Sequence, residues 1–303
     1  MRPDLILRHY IYGLLMGSAD VVPGVSGGTM ALIVGIYTRL IESIGRAVAA
    51  VPLAARGRPR EAVGSVRSVE WTLVLPLGAG IATAIAVASA FIPQLLDDHP
   101  VPMRALFFGL IAGSLTLPWR RIREHSVRTF AILGVAAVAA FIFSGLPDTV
   151  VDSPSKLQVF GSAALAICAM ILPGISGSFL LLILGMYEPT LDAVHERDVA
   201  YLAVFLAGAV IGISVFAMLL RWLLEHAHDL TMAALVGLMI GSLRALWPFL
   251  EDDRSLRMPA DGDPVMLAIA LGLGGLIFVL ALTRLGDAVE ASDAAVDEVA
   301  ARR

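Results

Sequence analysis

The sequence predicts an all-α integral membrane protein made of two inverted-topology repeats, each a re-entrant broken-helix hairpin followed by three transmembrane helices. Three observations predict it: a strongly apolar composition, a Pro-Gly motif that occurs twice at matching places, and an uneven distribution of arginine. Of 303 residues, 58% are hydrophobic and 16% charged, and the mean hydropathy is +0.82. An ordinary soluble domain is less apolar and more charged. The runs Trp71 to Ile92, Thr129 to Leu146, Ala200 to Leu220 and Val265 to Leu282 approach the ~20 apolar residues that cross a hydrocarbon core. Strands alternating apolar and polar residues, as a membrane β-barrel requires, are missing, so the spans are helices. The formal net charge of −4 says little about partners, because the placement of Lys and Arg carries the information. Nothing in the chain points to nucleic acid.

The repeat is visible in two stretches. Residues 19–37 read ADVVPGVSGGTMALIVGIY and residues 169–187 read AMILPGISGSFLLLILGMY. Pro23, Gly24, Ser26 and Gly27 match Pro173, Gly174, Ser176 and Gly177, while Gly35 and Tyr37 match Gly185 and Tyr187. Further along, GLIAGSL (109–115) matches GLMIGSL (237–243), each after a helix with small residues near its start, around Gly78 and Gly80 or Ala207 and Gly208. An arginine-rich loop, about residues 46–70, is present only in the first half and absorbs the difference in register. The expected units are a first repeat over 1–148, a second over 156–285 and a cytoplasmic tail over 286–303.

The arms around each Pro-Gly break are short. From Leu5 to Val22 the first arm carries Arg8, His9 and Asp20, leaving too few uninterrupted apolar residues to span comfortably at ~1.5 Å each. Re-entrant hairpins over about 5–45 and 157–195 are therefore expected. With the N-terminus cytoplasmic and three crossings after each hairpin, Arg2, Arg8, Arg39, Arg46, Arg56, Arg58, Arg60, Arg67, Arg120, Arg121, Arg123, Arg128, Arg221, Arg284, Arg302 and Arg303 fall inside. Lys156, Arg197, Arg254 and Arg257 fall outside beside the acidic loops LLDDHP and EDDRSLRMPADGD. That is the positive-inside bias, and both termini are cytoplasmic in this topology. Two full crossings in place of each hairpin would give the same parity, so arm length alone favours the re-entrant form. The N-terminus superficially resembles a signal peptide, but cleavage would remove part of a repeat unit, and it is read as retained.

Matching broken helices in inverted repeats point to a transporter whose site lies near the midplane between the halves. Irregular backbone at membrane depth survives only when buried in protein or lining a polar cavity. A helix restarting near Val25 or Ile175 leaves its first N–H groups without helical partners. Those groups, with the positive end of the helix dipole and the hydroxyls of Ser26, Thr29, Ser176 and Ser178, form an anion-accepting nest. The expected binding residues are Gly24, Val25, Ser26, Gly27, Gly28, Thr29, Gly174, Ile175, Ser176, Gly177 and Ser178. The competing explanation is that these glycines only let helices pack closely. Ionisable residues inside membrane segments are costly and usually functional. Asp20, whose counterpart is Met170, is a candidate for a coupling proton or sodium ion or else an N-cap. Arg104 and Arg244 are candidates to clamp an anionic head group or else to snorkel to an interface.

Other features read as structural. EHAHD (225–229) does not match a standard zinc spacing and is expected to be a solvated turn. His195 with Glu196 and the acidic tail from Gly286 are expected at the interface or in solvent. Cys168, the single cysteine, is expected to be a buried small hydrophobe. No P-loop and no nucleophile with a base is evident, so no catalytic residue, metal or cofactor is expected and the chain is not read as an enzyme.

On MGSADVVPGVSGGTMALIVGIY and ILPGISGSFLLLILGMYEPTL, the chain resembles the bacterial polyprenyl-phosphate transporter family, over about residues 8 to 285. The resemblance implies movement of the carrier lipid undecaprenyl phosphate back across the bacterial cytoplasmic (inner) membrane for reuse in peptidoglycan and other envelope polymers. It implies the lipid and the bilayer as partners; a homodimer is compatible with it. The glycine-rich faces around Gly78, Gly80, Gly208 and Gly212 are where a lateral opening for the lipid tail is expected. The second motif departs from the first in Ser178, which replaces a glycine, and in Met170, which has no carboxylate. The alternatives left open are a carrier or channel for a small anion, a membrane enzyme acting on lipid phosphates, and a scaffold for envelope synthesis.

Overall fold

A computed structural model describes residues 3–20, 26–251 and 253–301. The described residues are mainly helical, joined by short turns and two longer loops, over 144–155 and 247–264. In the first half the helices are α1 (Pro3–Asp20), α2 (Gly27–Ile33), α3 (Tyr37–Ala55), α4 (Pro59–Arg67), α5 (Trp71–Asp98), α6 (Pro100–Ser114), α7 (Thr116–Arg120) and α8 (Val127–Phe143). The second half holds α9 (Lys156–Ile171), α10 (Gly177–Ile183), α11 (Tyr187–His195), α12 (Val199–His226), α13 (His228–Ser242), a 3-10 turn at Leu243–Leu246, and α14 (Val265–Ala301).

Among the described residues, three helices are by themselves long and apolar enough to cross a membrane: Pro100–Arg120, Val199–His226 and His228–Leu246. Shorter apolar helices occupy Val127–Phe143, Lys156–Ile171 and Val265–Ala281. Large apolar side chains such as Val135, Leu206, Val215, Ile269 and Phe278 face outward, an exterior suited to hydrocarbon rather than water. The sequence pattern and this exterior together describe a helical membrane protein.

The chain departs from the expected hairpins at a second break in each. The seven-residue helices α2 and α10 end at Gly35 (φ +76°) and Gly185 (φ +70°). The closing hydrogen bonds match: Gly35 N–H to Leu32 O at 3.1 Å and Ile36 N–H to Ala31 O at 2.9 Å, Gly185 N–H to Leu182 O at 3.1 Å and Met186 N–H to Leu181 O at 2.8 Å. Both are Schellman caps, in which a glycine takes the left-handed conformation that other residues avoid. Beyond the cap, α11 leaves α10 at 107°, so the second arm is one short helix and a turned-away continuation, not a single helix.

Four helix pairs carry the packing. α1 lies along α5 and α9 along α12, each within its own half, while α6 packs on α14 and α8 on α13, each across the halves. Glycines set the distances. A Cβ at Gly80 would run into the Tyr10 carbonyl oxygen, one at Gly208 into that of Phe160, and one at Gly212 would lie 2.5 Å from that of Ala164. The sequence expectation that Gly80, Gly208 and Gly212 line a lateral opening is thus corrected, because backbone occupies that space. Gly78 meets nothing within 4 Å. The glycines of the GLIAGSL and GLMIGSL stretches act alike: a Cβ at Gly109 would run into Gly272 O, one at Gly113 would lie 2.9 Å from Leu276 O, and those at Gly237 and Gly241 would run into Leu133 O and Ala137 O. Small residues let backbones come this close where the hydrophobic effect cannot drive association.

α2 sits in the middle of this assembly. Thr29 and Ala31 are fully buried, Leu32 nearly so, and Ala31 and Leu32 join a core with Met16, Ile36, Tyr37, Leu73, Leu77, Ile111, Leu220 and Met239. His9, fully buried on α1, donates from Nδ1 to Thr72 O at 2.7 Å, which ties α1 to α5.

At the arginine-rich end, Arg39 of α3 forms an ion pair with Glu70, just before α5. Arg39 lowers the Glu70 pKa, chiefly by hydrogen bonding. A carboxylate with a depressed folded pKa contributes stability above its unfolded value, ~4.3, and that stability is lost as the pH falls through the folded value. Arg39→Gln is expected to cost about 0.2–1 kcal/mol at pH 7, as for a partly exposed pair. The difference from the wild type should shrink as thermal melts in detergent are taken to lower pH. A deficit independent of pH between 7 and 3 would show that the ion pair does not hold α3.

Candidate functional site

The two breaks meet. Ser26, the N-cap of α2, is 1% exposed. Its Oγ accepts from Gly28 N–H at 3.1 Å and shares its own proton between Met170 O and Leu172 O, 3.3 and 3.2 Å away on the other hairpin. In return Gly174 N–H donates to Thr29 Oγ1 at 3.1 Å. Gly174 has φ +88°, and a Cβ there would lie 2.8 Å from Met239 Cα. The breaks are therefore joined by reciprocal hydrogen bonds between residues about 145 positions apart in the chain.

The two helix starts differ in how their N–H groups are filled. At α2, Gly27 N–H donates to Asp20 Oδ1 at 2.7 Å, Gly28 N–H to Ser26 Oγ, and Thr29 N–H to Ser26 O at 2.9 Å. This start is already capped, with Asp20 supplying the carboxylate that the dipole favours. At α10, Phe179 N–H approaches Ser176 Oγ only at 3.5 Å, and Leu180 N–H reaches Ser176 O at 3.0 Å. The Gly177 and Ser178 N–H groups have no protein acceptor among the described residues. The hydroxyls of Ser176 and Ser178 bond each other at 2.8 Å.

A cavity of about 190 Å³ opens at this second start. Asp20 lines it together with Ser176, Gly177 and Ser178, and its walls come from Ala163, Ala166, Ile167 and Met170 of α9, Leu181 of α10, and Phe205 and Ala209 of α12. One carboxylate, two hydroxyls and two open N–H groups thus share a small, otherwise apolar chamber. Such a chamber holds an anion at the hydroxyls and N–H groups if the carboxylate is neutralised by a proton or a cation.

Of the residues expected from sequence, Ser176, Gly177, Ser178 and Asp20 line the cavity. Ser26, Gly27, Gly28, Thr29 and Gly174 build the junction between the breaks. Ile175 lies in the break itself, its N–H 3.4 Å from Leu172 O. Gly24 and Val25 lie outside the described residues. Arg104 donates to Leu250 O at 3.2 Å, and Arg244 donates to Phe141 O at 3.2 Å with its guanidinium over the Phe141 ring. Arg104 meets Leu250 and Arg244 meets Arg254 in the loop before α14, and neither arginine is among the residues that line the cavity. Sequence reasoning missed the α9 and α12 walls, whose alanines and Phe205 carry no polar signal. It also missed Arg254, which lies over the ring of Phe179 on α10 and pairs with Asp148 at 2.7 Å.

The undecaprenyl phosphate translocase-like family model matches residues 16–262. A polyprenyl-phosphate transporter of Vibrio cholerae serotype O1 is 42% identical over 261 residues, covering 86% of this chain and 83% of the relative. A polyprenyl-phosphate transporter of Staphylococcus aureus is 31% identical over 257 residues, covering 79% of this chain and 86% of the relative. No solved structure matches the chain. The family match takes in both Pro-Gly breaks and helices α2 to α13, and the chain belongs to the undecaprenyl phosphate translocase-like family, a family of transporters rather than enzymes.

Proposed function

We propose that the chain carries polyprenyl phosphate, with undecaprenyl phosphate as the substrate, across the bacterial inner membrane, binding the phosphate in the cavity at the start of α10. The observation that carries the site is the open pair of N–H groups at Gly177 and Ser178 beside two hydroxyls. Family membership supports the lipid. In this reading residues 1–148 and 156–285 are inverted repeats with hairpins α1–α2 and α9–α10, and the paired packing of α1 on α5 and α9 on α12 supports it. The arginine-rich face is cytoplasmic, as are both termini. Asp20 carries the coupling proton or sodium ion, since a phosphate and a bare carboxylate repel each other across so small a chamber.

The test is translocation of labelled undecaprenyl phosphate in proteoliposomes, wild type beside Ser176→Ala/Ser178→Ala. A hydrogen bond to a charged group contributes about 1.5–3 kcal/mol, so a fall in rate of at least ~10-fold is expected, with thermal melting lowered by no more than the loss of the Ser176 cap, about 0.5–2 kcal/mol. Wild type that moves inorganic phosphate but not the lipid would establish an anion carrier instead. Full lipid transport by the folded double variant would remove the phosphate from this cavity.

A further inference from the structure

The hairpin of α3 and α4 takes no part in the site above, and it belongs to the arginine-rich stretch that the second half lacks. Its geometry is that of an element lying on a membrane. α4 meets the following helix, over Trp71–Val87, at 70°, so with α5 crossing the bilayer α4 runs close to the membrane plane. Trp71, 40% exposed at the start of α5, donates its indole N–H to Val66 O at 2.9 Å and ties the end of α4 to this level. Tryptophan is enriched where a span enters the headgroup layer.

The hairpin is two-faced. Between α3 and α4 runs an open apolar groove with Ala50, Ala54, Ala62, Val63 and Val66 along it and Arg67 at its edge. Val63 is half exposed and Val66 more than a third. Around it Arg56, Arg58, Arg60 and Arg67 are all exposed. Arg58 pairs with Glu61 at 2.7 Å, whereas Arg56, Arg60 and Arg67 have no ion pair among the described residues. Exposed valines framed by unpaired arginines are the pattern of a helix that dips its apolar side into the acyl boundary while its cations meet lipid phosphates.

We propose that the α3–α4 hairpin is a docking surface for the anionic phospholipid leaflet, with Val63 and Val66 among the upper acyl segments and Arg56, Arg58, Arg60 and Arg67 on the headgroups. Charge decides the occupant. A second copy of this hairpin would bring four arginines against four. The contrast with the far end of α12 is in the same sense: there Asp152, Glu188, Asp192, Glu196 and Asp198 surround an open cleft of about 460 Å³, a surface that repels anionic lipid. The hairpin thereby distinguishes one leaflet from the other, whatever the central cavity carries.

The test uses the full chain in a Cys168→Ala background, with Val63→Cys bearing an environment-sensitive fluorophore, reconstituted in phosphatidylglycerol/phosphatidylcholine vesicles. Blue-shifted emission quenched by shallow doxyl lipids but not by aqueous iodide is expected. Energy transfer to a phosphatidylglycerol-linked acceptor should exceed transfer to a phosphatidylcholine-linked one at least twofold, and Arg56→Gln/Arg58→Gln/Arg60→Gln/Arg67→Gln should abolish the excess. An iodide-quenched label, equal transfer to both acceptors, or an excess that survives the four substitutions would each overturn the proposal. So would transfer between differently labelled copies that tracks protein density, which would place a second chain on the groove. If the fourfold variant does not fold, Arg60→Gln/Arg67→Gln serves in its place, with at least half the excess lost. None of these readouts depends on transport.

Discussion

Asp20→Asn should leave the protein folded and uncouple its transport. The Asp20 carboxylate holds Gly27 N–H at 2.7 Å, and Asp20 lines the same cavity as Ser176 and Ser178. Asparagine keeps an acceptor oxygen at the same reach, so the cap survives, but it can neither take up a proton nor hold a cation by charge. Under an imposed proton or sodium gradient, lipid uptake into proteoliposomes is expected to fall at least ~10-fold, about 1.4 kcal/mol in the barrier. The residual rate should no longer respond to the gradient. Asp20→Ala should show the same transport defect and in addition lose about 0.5–2 kcal/mol of stability with the cap. An asparagine variant with wild-type uptake and wild-type gradient dependence would make Asp20 a cap alone.

Gly109→Val should prevent folding or reduce the folded yield to a small fraction. A Cβ at Gly109 would run into the Gly272 carbonyl oxygen, so α6 and α14 could not keep their contact. Overpacking usually costs about 1–3 kcal/mol where side chains can move aside. Here the obstacle is backbone and the helices themselves must separate, so the cost lies at or above that range. Gly134→Val is the control: nothing lies within 4 Å of its Cβ position, and it should express and melt like the wild type. Size-exclusion profiles and thermal melts of the two variants in detergent make the comparison. A monodisperse Gly109→Val protein with unchanged melting would show that α6 and α14 are not held in this contact.

The cap glycines show how far local pattern reaches. Gly35 and Gly185 were visible as matched residues, and a glycine just past an apolar stretch is a helix stop. Yet the arms looked like single helices, because the apolar residues continue through Tyr37 and Tyr187 and hydropathy does not register a change of direction. The small residues of GLIAGSL and GLMIGSL were likewise visible as a repeat. That Gly109 faces α14 while Gly237 faces α8 depends on which helices pair, and no stretch of sequence records the pairing.

The sequence by itself determined the membrane class, the doubled break, its serines and the clustering of arginine between α3 and α5. These follow from hydropathy, capping chemistry and charge placement, all of which act between neighbours in the chain or between one segment and the bilayer. Only the tertiary structure decided that the two breaks lock together through Ser26 and Thr29, and that the start of α2 is filled while that of α10 stays open. It also decided that Asp20 lines one cavity with Ser176 and Ser178 of the opposite half. Those relations join residues far apart along the chain, and they exist only once close helix packing has brought the two halves into contact.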